Sequence, residues 1–218
     1  MQELGAVRKA LEAGALDAPL ARLTGCGDPA ARRRRVMGLL DGFWRSFGAG
    51  EDTPVTLCSA PGRTEICGNH TDHQHGRVLA ASVNLDFLAC AAPNGTDTIR
   101  FQSEGWPLVE VKLDGKGPRT EENETTVSLV RGMAELAAQR GYPVSGFDAY
   151  AVSDVLPGSG LSSSAACEVL LGVVINHLFC QDAFTPVEIA QMGQKAENAY
   201  FGKPSGLMDQ TASSVGGA

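Results

Sequence analysis

Much that would place a chain in a class is missing from these 218 residues. No apolar run approaches the roughly 20 residues that a membrane span requires. The N-terminus, Met1 to Ala10, has no basic-then-apolar signal pattern. None of the six cysteines (26, 58, 67, 90, 167 and 180) stands in a Cys-x-x-Cys pair, and no Cys/His cluster has zinc spacing. Basic surplus is lacking too: the formal net charge is −7, which argues against a nucleic-acid surface. The one basic run, Arg32 to Arg35, has Leu39, Leu40 and Phe43 close behind it and reads as a solvated helix face rather than a docking patch. Internal repeats and low-complexity segments are absent. With 43% hydrophobic and 20% charged residues, the composition is that of a soluble globular protein. Cysteines in apolar surroundings (Cys58, Cys90, Cys180) fit free buried thiols in a reducing compartment, so the expected location is the cytoplasm, with no nucleic-acid or membrane partner.

Hydrophobic periodicity predicts helices over residues 2–22 and 28–47, with a break at Gly48 to Asp52. Strands are expected at 55–59, 78–83, 87–92, 98–102 and 108–113, separated by turn signals, and residues 61–76 read as a polar loop. A strong amphipathic helix covers 127–140 and ends at Gly141 and Pro143. A strand at 147–153 then feeds a glycine turn, followed by helices over 165–179, 186–200 and 205–214. Strands first and helices later imply an α+β fold, a mixed sheet with helices packed on one face. Residues 1–52 would be an N-terminal helical extension of a domain at 53–218.

Three clusters carry chemistry. Leu156-Pro157-Gly158-Ser159-Gly160-Leu161-Ser162-Ser163-Ser164-Ala165-Ala166 puts a flexible turn and three hydroxyls ahead of a helix. Unpaired N–H groups at the positive end of a helix dipole bind phosphate well. No Lys-Ser/Thr pair follows the glycines, so this is not a Walker A loop, and a plain helix start with an ordinary N-cap remains open. Residues 60–76 concentrate Arg63, Glu65, Asn69, His70, Asp72, His73 and His75, which a loop does not need in order to fold. Ligand recognition is the reading, with a solvated loop or a His/Asp metal site as alternatives. The third cluster, Gly206-Leu207-Met208-Asp209-Gln210, sets a carboxylate among small and apolar neighbours, as an ordinary helix N-terminal Asp also would be.

Together the three clusters resemble the galactokinase family of the GHMP kinases, over about residues 53 to 218. Residues 60–76 are similar to the signature Gly-Arg-x-Asn-Leu-x-Gly-Glu-His-Thr-Asp-Tyr-x-Gly-Gly, residues 157–166 to the second GHMP motif, and residues 206–210 to the catalytic Asp segment. The resemblance implies a GHMP kinase N-terminal domain and an ATP-dependent sugar-1-kinase. Asp209 would accept the proton of the sugar C1 hydroxyl, and Arg63 would stabilise charge near it. Gly158, Ser159, Gly160, Leu161, Ser162, Ser163 and Ser164 would wrap the nucleotide phosphates, and Ser103 would touch the nucleotide. Ser164 and Glu197 would hold Mg²⁺. Asn69, His70, Thr71, Asp72 and Gly206 fall at sugar-contacting positions.

Two departures bear on the substrate. Asn69 stands where the family has Glu before His-Thr-Asp, and His73 stands where it has Tyr. An amide does not repel a carboxylate, so galacturonate is an alternative to galactose. Nothing resembles the family's third, glycine-rich motif. The expectation is therefore a chain that lacks the C-terminal GHMP domain, which would normally cover one face. A non-catalytic sugar-and-ATP sensor of the same fold is the alternative to an enzyme, but Ser162 to Ala166, Arg63 and Asp209 are intact and favour catalysis. The His70-Thr71-Asp72 cluster disfavours other members such as mevalonate or homoserine kinases.

Overall fold

The computed structural model describes residues 1–24 and 28–216; Cys26, Gly217 and Ala218 lie outside the described residues. A six-stranded mixed sheet runs in the order β1 (Gln2–Glu3), β2 (Pro54–Cys67), β3 (Leu79–Pro93), β6 (Phe147–Ser153), β4 (Thr98–Ser103), β5 (Val109–Lys112). All neighbours are antiparallel except the parallel pair β4 and β6. The helices are α1 (Leu4–Glu12), α2 (Asp17–Thr24), α3 (Pro29–Phe47), α4 (Thr126–Gln139), α5 (Ser163–Phe179), α6 (Pro186–Ala196) and α7 (Met208–Val215).

Strand alternation splits the interior into two cores. Phe87, Ala89 and Ala91 of β3, with Phe147, Ala149 and Ala151 of β6, face α4, α5 and α6 through Met133, Leu170, Val174 and Ile189. These helices of residues 53–218 share one face, as the α+β reading requires. The intervening residues Leu88, Cys90, Ala92 and Val152 face Leu4, Val7 and Leu11 of α1 and Val36, Leu39, Leu40 and Phe43 of α3. Residues 1–52 therefore supply the layer on the other face and, through β1, an edge strand paired to β2.

Local signals explain most boundaries. Asp28 caps α3 by accepting from the Ala30 and Ala31 amides, Pro29 fits the first helical position, and Gly48 (φ 67°) ends the helix in the left-handed region. The helix expected over 2–22 is instead β1, α1 and α2, because Gly14 (φ 73°) turns the chain between the two helices. The strands expected at 78–83 and 87–92 are one strand, β3, with no turn between them. Half of the expected polar loop at 61–76 is the continuation of β2, whose register shifts between Pro61 and Arg63 and again between Glu65 and Cys67. The helix expected over 186–200 stops at Ala196 and passes into a π turn, Glu197–Phe201. The arginine run is not a solvated face throughout. Arg35 pairs with the buried Asp86, donates to the Asp86 carbonyl at 3.0 Å, and lies 3.2 Å from Asp154, so α3 is tied to the strand ends beside the glycine turn.

The second core is integral to the sheet. Leu39 is fully buried there, and Leu39→Ala should cost about 2–5 kcal/mol in denaturant unfolding. A loss under about 1 kcal/mol would mean that the N-terminal helices dock loosely.

Candidate functional site

Register shifts flank Arg63 on β2, and such bulges re-aim side chains. Gly62 permits the close approach this needs, since a Cβ there would lie 3.0 Å from the Leu161 carbonyl. Arg63 is buried, and each of its guanidinium nitrogens donates a hydrogen bond. Nε and Nη2 donate to Asp209 Oδ1 and Oδ2, both at 2.7 Å, and Nη1 donates to the Gly160 carbonyl at 2.7 Å. The pair is 146 positions apart in sequence and joins in the bidentate geometry that Arg offers a carboxylate. Asp209 sits in the first turn of α7 and also accepts from Ser162 Oγ. Burial alone would push its carboxyl up; the bonds from Arg63 and Ser162 and the Arg63 charge outweigh that and hold it below its ordinary value. Asp209 is thus an ionised acceptor with a cation at its side.

The glycine turn lies between β6 and α5, as the sequence predicts. Gly158 and Gly160 have φ of 75° and 78°, a region open to glycine at no steric cost. Ser162, the residue before α5, is also left-handed (φ 60°) and gives α5 no side-chain cap, because its hydroxyl goes to Asp209. The backbone N–H groups of Gly160, Ser162, Ser163 and Ser164 make no backbone hydrogen bond among the described residues, whereas Ser159 N–H is spent on Leu156 O at 3.2 Å. An uncapped helix N-terminus of this kind is an anion site in waiting.

The loop that follows β2 closes onto the start of α7. Asp72 Oδ2 accepts the Met208 amide at 2.9 Å, and Gly206 packs so tightly against Asp72 that a Cβ would fall 1.8 Å from Oδ2. Thr71 closes its own loop, donating from Oγ1 to the Gly68 carbonyl at 2.8 Å. A cavity of about 470 Å³ is lined by Arg63, His70, Asp72, His73, Gly158, Gly160, Ser162, Ser163, Ser164, Glu197, Lys203, Gly206 and Asp209, among others. The three clusters thus meet at one place. Asn69, Thr71, Ser159, Leu161 and Ser103 are not in the lining. Asn69 is exposed, Leu161 accepts the Arg63 amide through its carbonyl at 3.1 Å, and Ser103 ends β4 beside Ala151.

Beneath the cavity lies a polar group that the sequence reading missed. Gln210 is fully buried, and its Nε2 donates to Glu168 Oε2 and to Glu197 Oε2, both at 2.9 Å. Lys203 Nζ lies 3.3 Å from Glu197 Oε1. Burial first, then the Glu197 charge, push the Glu168 carboxyl well above its ordinary value despite the bond from Gln210. Glu168 Oε1 and Gln210 Oε1 are buried without partners. A neutral Glu168 supplies a donor where a carboxylate could only accept. Only the Asp-Gln dipeptide at 209–210 signalled this group in the sequence.

A carboxyl raised in the folded state leaves stability intact below its unfolded value, about 4.3. That stability is lost as pH rises through the folded value. Glu168→Gln has no such loss, so its melting temperature relative to the unmodified protein should increase from about pH 5 to about pH 8. A constant difference would show Glu168 to be ionised in the fold.

Two family descriptions match the chain: "GHMP kinases N terminal domain" over residues 128–217, and "Galactokinase galactose-binding signature" over residues 42–93. The galactokinase of Lactococcus lactis subsp. cremoris is 33% identical over 169 residues, which is 77% of this chain and 42% of that protein. The crystal structure of Lactococcus lactis galactokinase complexed with galactose superposes with a TM-score of 0.73 at 33% identity, covering 82% of this chain and 46% of that one. Methanococcus jannaschii mevalonate kinase shares the fold, with a TM-score of 0.64 at 17% identity over 75% of this chain and 52% of that one. The chain spans less than half the length of the curated relatives it matches. With the galactose-binding signature on β2 and β3 and the GHMP motif at the start of α5 meeting in one cavity, the chain belongs to the galactokinase family of the GHMP kinases.

Proposed function

We propose that the complete protein is an ATP-dependent sugar-1-kinase that moves the γ-phosphoryl group of ATP to the C1 hydroxyl of galactose or a close relative. One observation carries this reading: an ionised Asp209, held by Arg63, faces the same cavity as the uncapped N-terminus of α5. Phosphoryl transfer asks chiefly for positioning and for stabilised charge, and this arrangement offers both. The C1 oxygen attacks the γ-phosphorus, the bond from γ-phosphorus to the β-bridging oxygen breaks, and ADP leaves. The hydroxyl proton passes to Asp209, which keeps free lone pairs beside those used by Arg63 and Ser162. Arg63 offsets the negative charge that gathers there.

Nucleotide phosphates are assigned to Gly158 through Ser164, supported by the open amides of Gly160 and Ser162 to Ser164. Ser103 rests on the motif alone. His70, Asp72 and Gly206 are assigned to the sugar on their place in the cavity; Asn69 and Thr71 rest on the motif and on their place in the same loop. Ser164 and Glu197, a hydroxyl and a carboxylate that both line the cavity, suit Mg²⁺ as partial ligands completed by phosphate and water. Bound there, the ion would neutralise phosphate charge. Arg63, Asp209 and the serine run all stand at the cavity, which supports an enzyme over a sensor. The cytoplasm suits it, since the five described cysteines are unpaired. No helix among the described residues is long and apolar enough to cross a membrane.

Asp209→Asn in the complete protein should lower kcat by about 10²–10⁴-fold. ATP affinity should change far less than kcat, because asparagine keeps the size of Asp209 and an acceptor oxygen for Arg63 and Ser162, which leaves the glycine turn in place. Near-normal turnover would remove Asp209 from the mechanism.

A further inference from the structure

Arg63, Thr64 and Glu65 pair in regular register with Ser82, Ala81 and Ala80, between the two register shifts of β2. Side chains two apart on a strand share a face, so Glu65 points to the side on which Arg63 meets Asp209. Its carboxylate is mostly buried and is turned onto His70. Oε1 accepts the His70 amide at 2.9 Å, and Oε2 lies 3.3 Å from His70 Nε2. His70 lines the cavity and has a left-handed backbone (φ 52°), a conformation that needs outside support in a residue other than glycine. In the galactokinase signature the position of Glu65 is Asn and that of Asn69 is Glu. The carboxylate has therefore moved from the loop to the strand behind it.

Resting on the sugar-kinase reading above, we propose that Glu65 is a positioning residue: it fixes His70 at the sugar and makes the cavity select a neutral hexose over its uronate. Glu65 Oε2 favours the tautomer with the proton on Nε2, which leaves Nδ1 as an acceptor for a sugar hydroxyl. A uronate carboxylate finds no Arg or Lys here that is free of a carboxylate partner. The Arg and Lys side chains in the lining each face a carboxylate already, Arg63 that of Asp209 and Lys203 that of Glu197. Three carboxylates line the same space (Asp72, Glu197 and Asp209), and Glu65 adds a fourth just behind His70. Exposed Asn69, outside the lining, does not offset this.

The test is Glu65→Gln in the complete protein. Glutamine keeps the size, removes the charge and offers a donor to Nε2, so the tautomer should switch. The KM for galactose should rise about threefold while the KM for ATP and the melting temperature stay put. The galacturonate-to-galactose ratio of kcat/KM should rise about tenfold. Nitrogen-15 spectra of the His70 ring should show the proton on Nε2 before the change and on Nδ1 after it. Unchanged sugar constants, or equal losses for sugar and ATP with a lowered melting temperature, would overturn the proposal. If the unmodified protein phosphorylates neither sugar, the kinase reading falls and takes the sugar selection with it. The ring spectra then decide the Glu65–His70 assignment alone, and an unswitched tautomer overturns that too.

Discussion

The ion pair between Arg63 and Asp209 is the constraint on which the site depends. It is a bidentate contact between a strand in the first third of the chain and the last described helix. Arg63 is buried, so loss of Asp209 would leave a guanidinium without its counter-charge, and loss of Arg63 would leave a carboxylate at a helix start with one hydroxyl for company. The same guanidinium holds the Gly160 carbonyl, so the pair also fixes the glycine turn. One interaction therefore sets the distance between the Asp209 carboxylate and the free amides at the start of α5.

The start of α5 is left uncapped because of that pairing. Ser162 would ordinarily cap α5 with its hydroxyl, but the hydroxyl goes to Asp209 and the residue adopts a left-handed backbone. Strained backbone of this kind costs about 1–3 kcal/mol and persists only where the surroundings enforce it. Here they do: α5 is buried on almost every side between β2, β3, α4 and α6, which keeps its N-terminus in place without a cap. The buried Gln210 adds a second tie, joining Asp209's own helix to Glu168 on α5 and to Glu197 at the π turn. A π turn in that position re-aims the chain just where a carboxylate must enter the cavity.

The sequence showed the chemistry better than it showed the architecture. Arg63, Asp209, Ser162 to Ser164, His70 and Asp72 stand in short motifs whose residue types are tied to their task, and all of them reach one cavity. The outer half of β2 was illegible because Arg63, Thr64 and Glu65 are polar in succession and the register shifts break the alternation that marks a strand. The single span of β3 was hidden by Asn84, which reads as a turn residue but sits in a paired strand. The N-terminal helices were visible as helices, yet nothing in their periodicity says that their apolar faces meet the back of the sheet. Glu65 stood out in the sequence only as one member of the polar cluster at 60–76, and its tie to His70 is visible only in the structure. Gln210 and Glu168 carry no periodic signal at all; a buried polar trio is a property of packing.

The proposed function requires that Asp209 and the amides of α5 act on one phosphoryl group and one sugar hydroxyl. Phosphorus NMR of the complete protein with galactose and MgATP tests it most directly. The γ-phosphate signal should disappear, the ADP signals should grow, and a new resonance split by the anomeric proton of a sugar 1-phosphate should appear. ATP consumed to inorganic phosphate, or a phosphate carried at another sugar carbon, would contradict it.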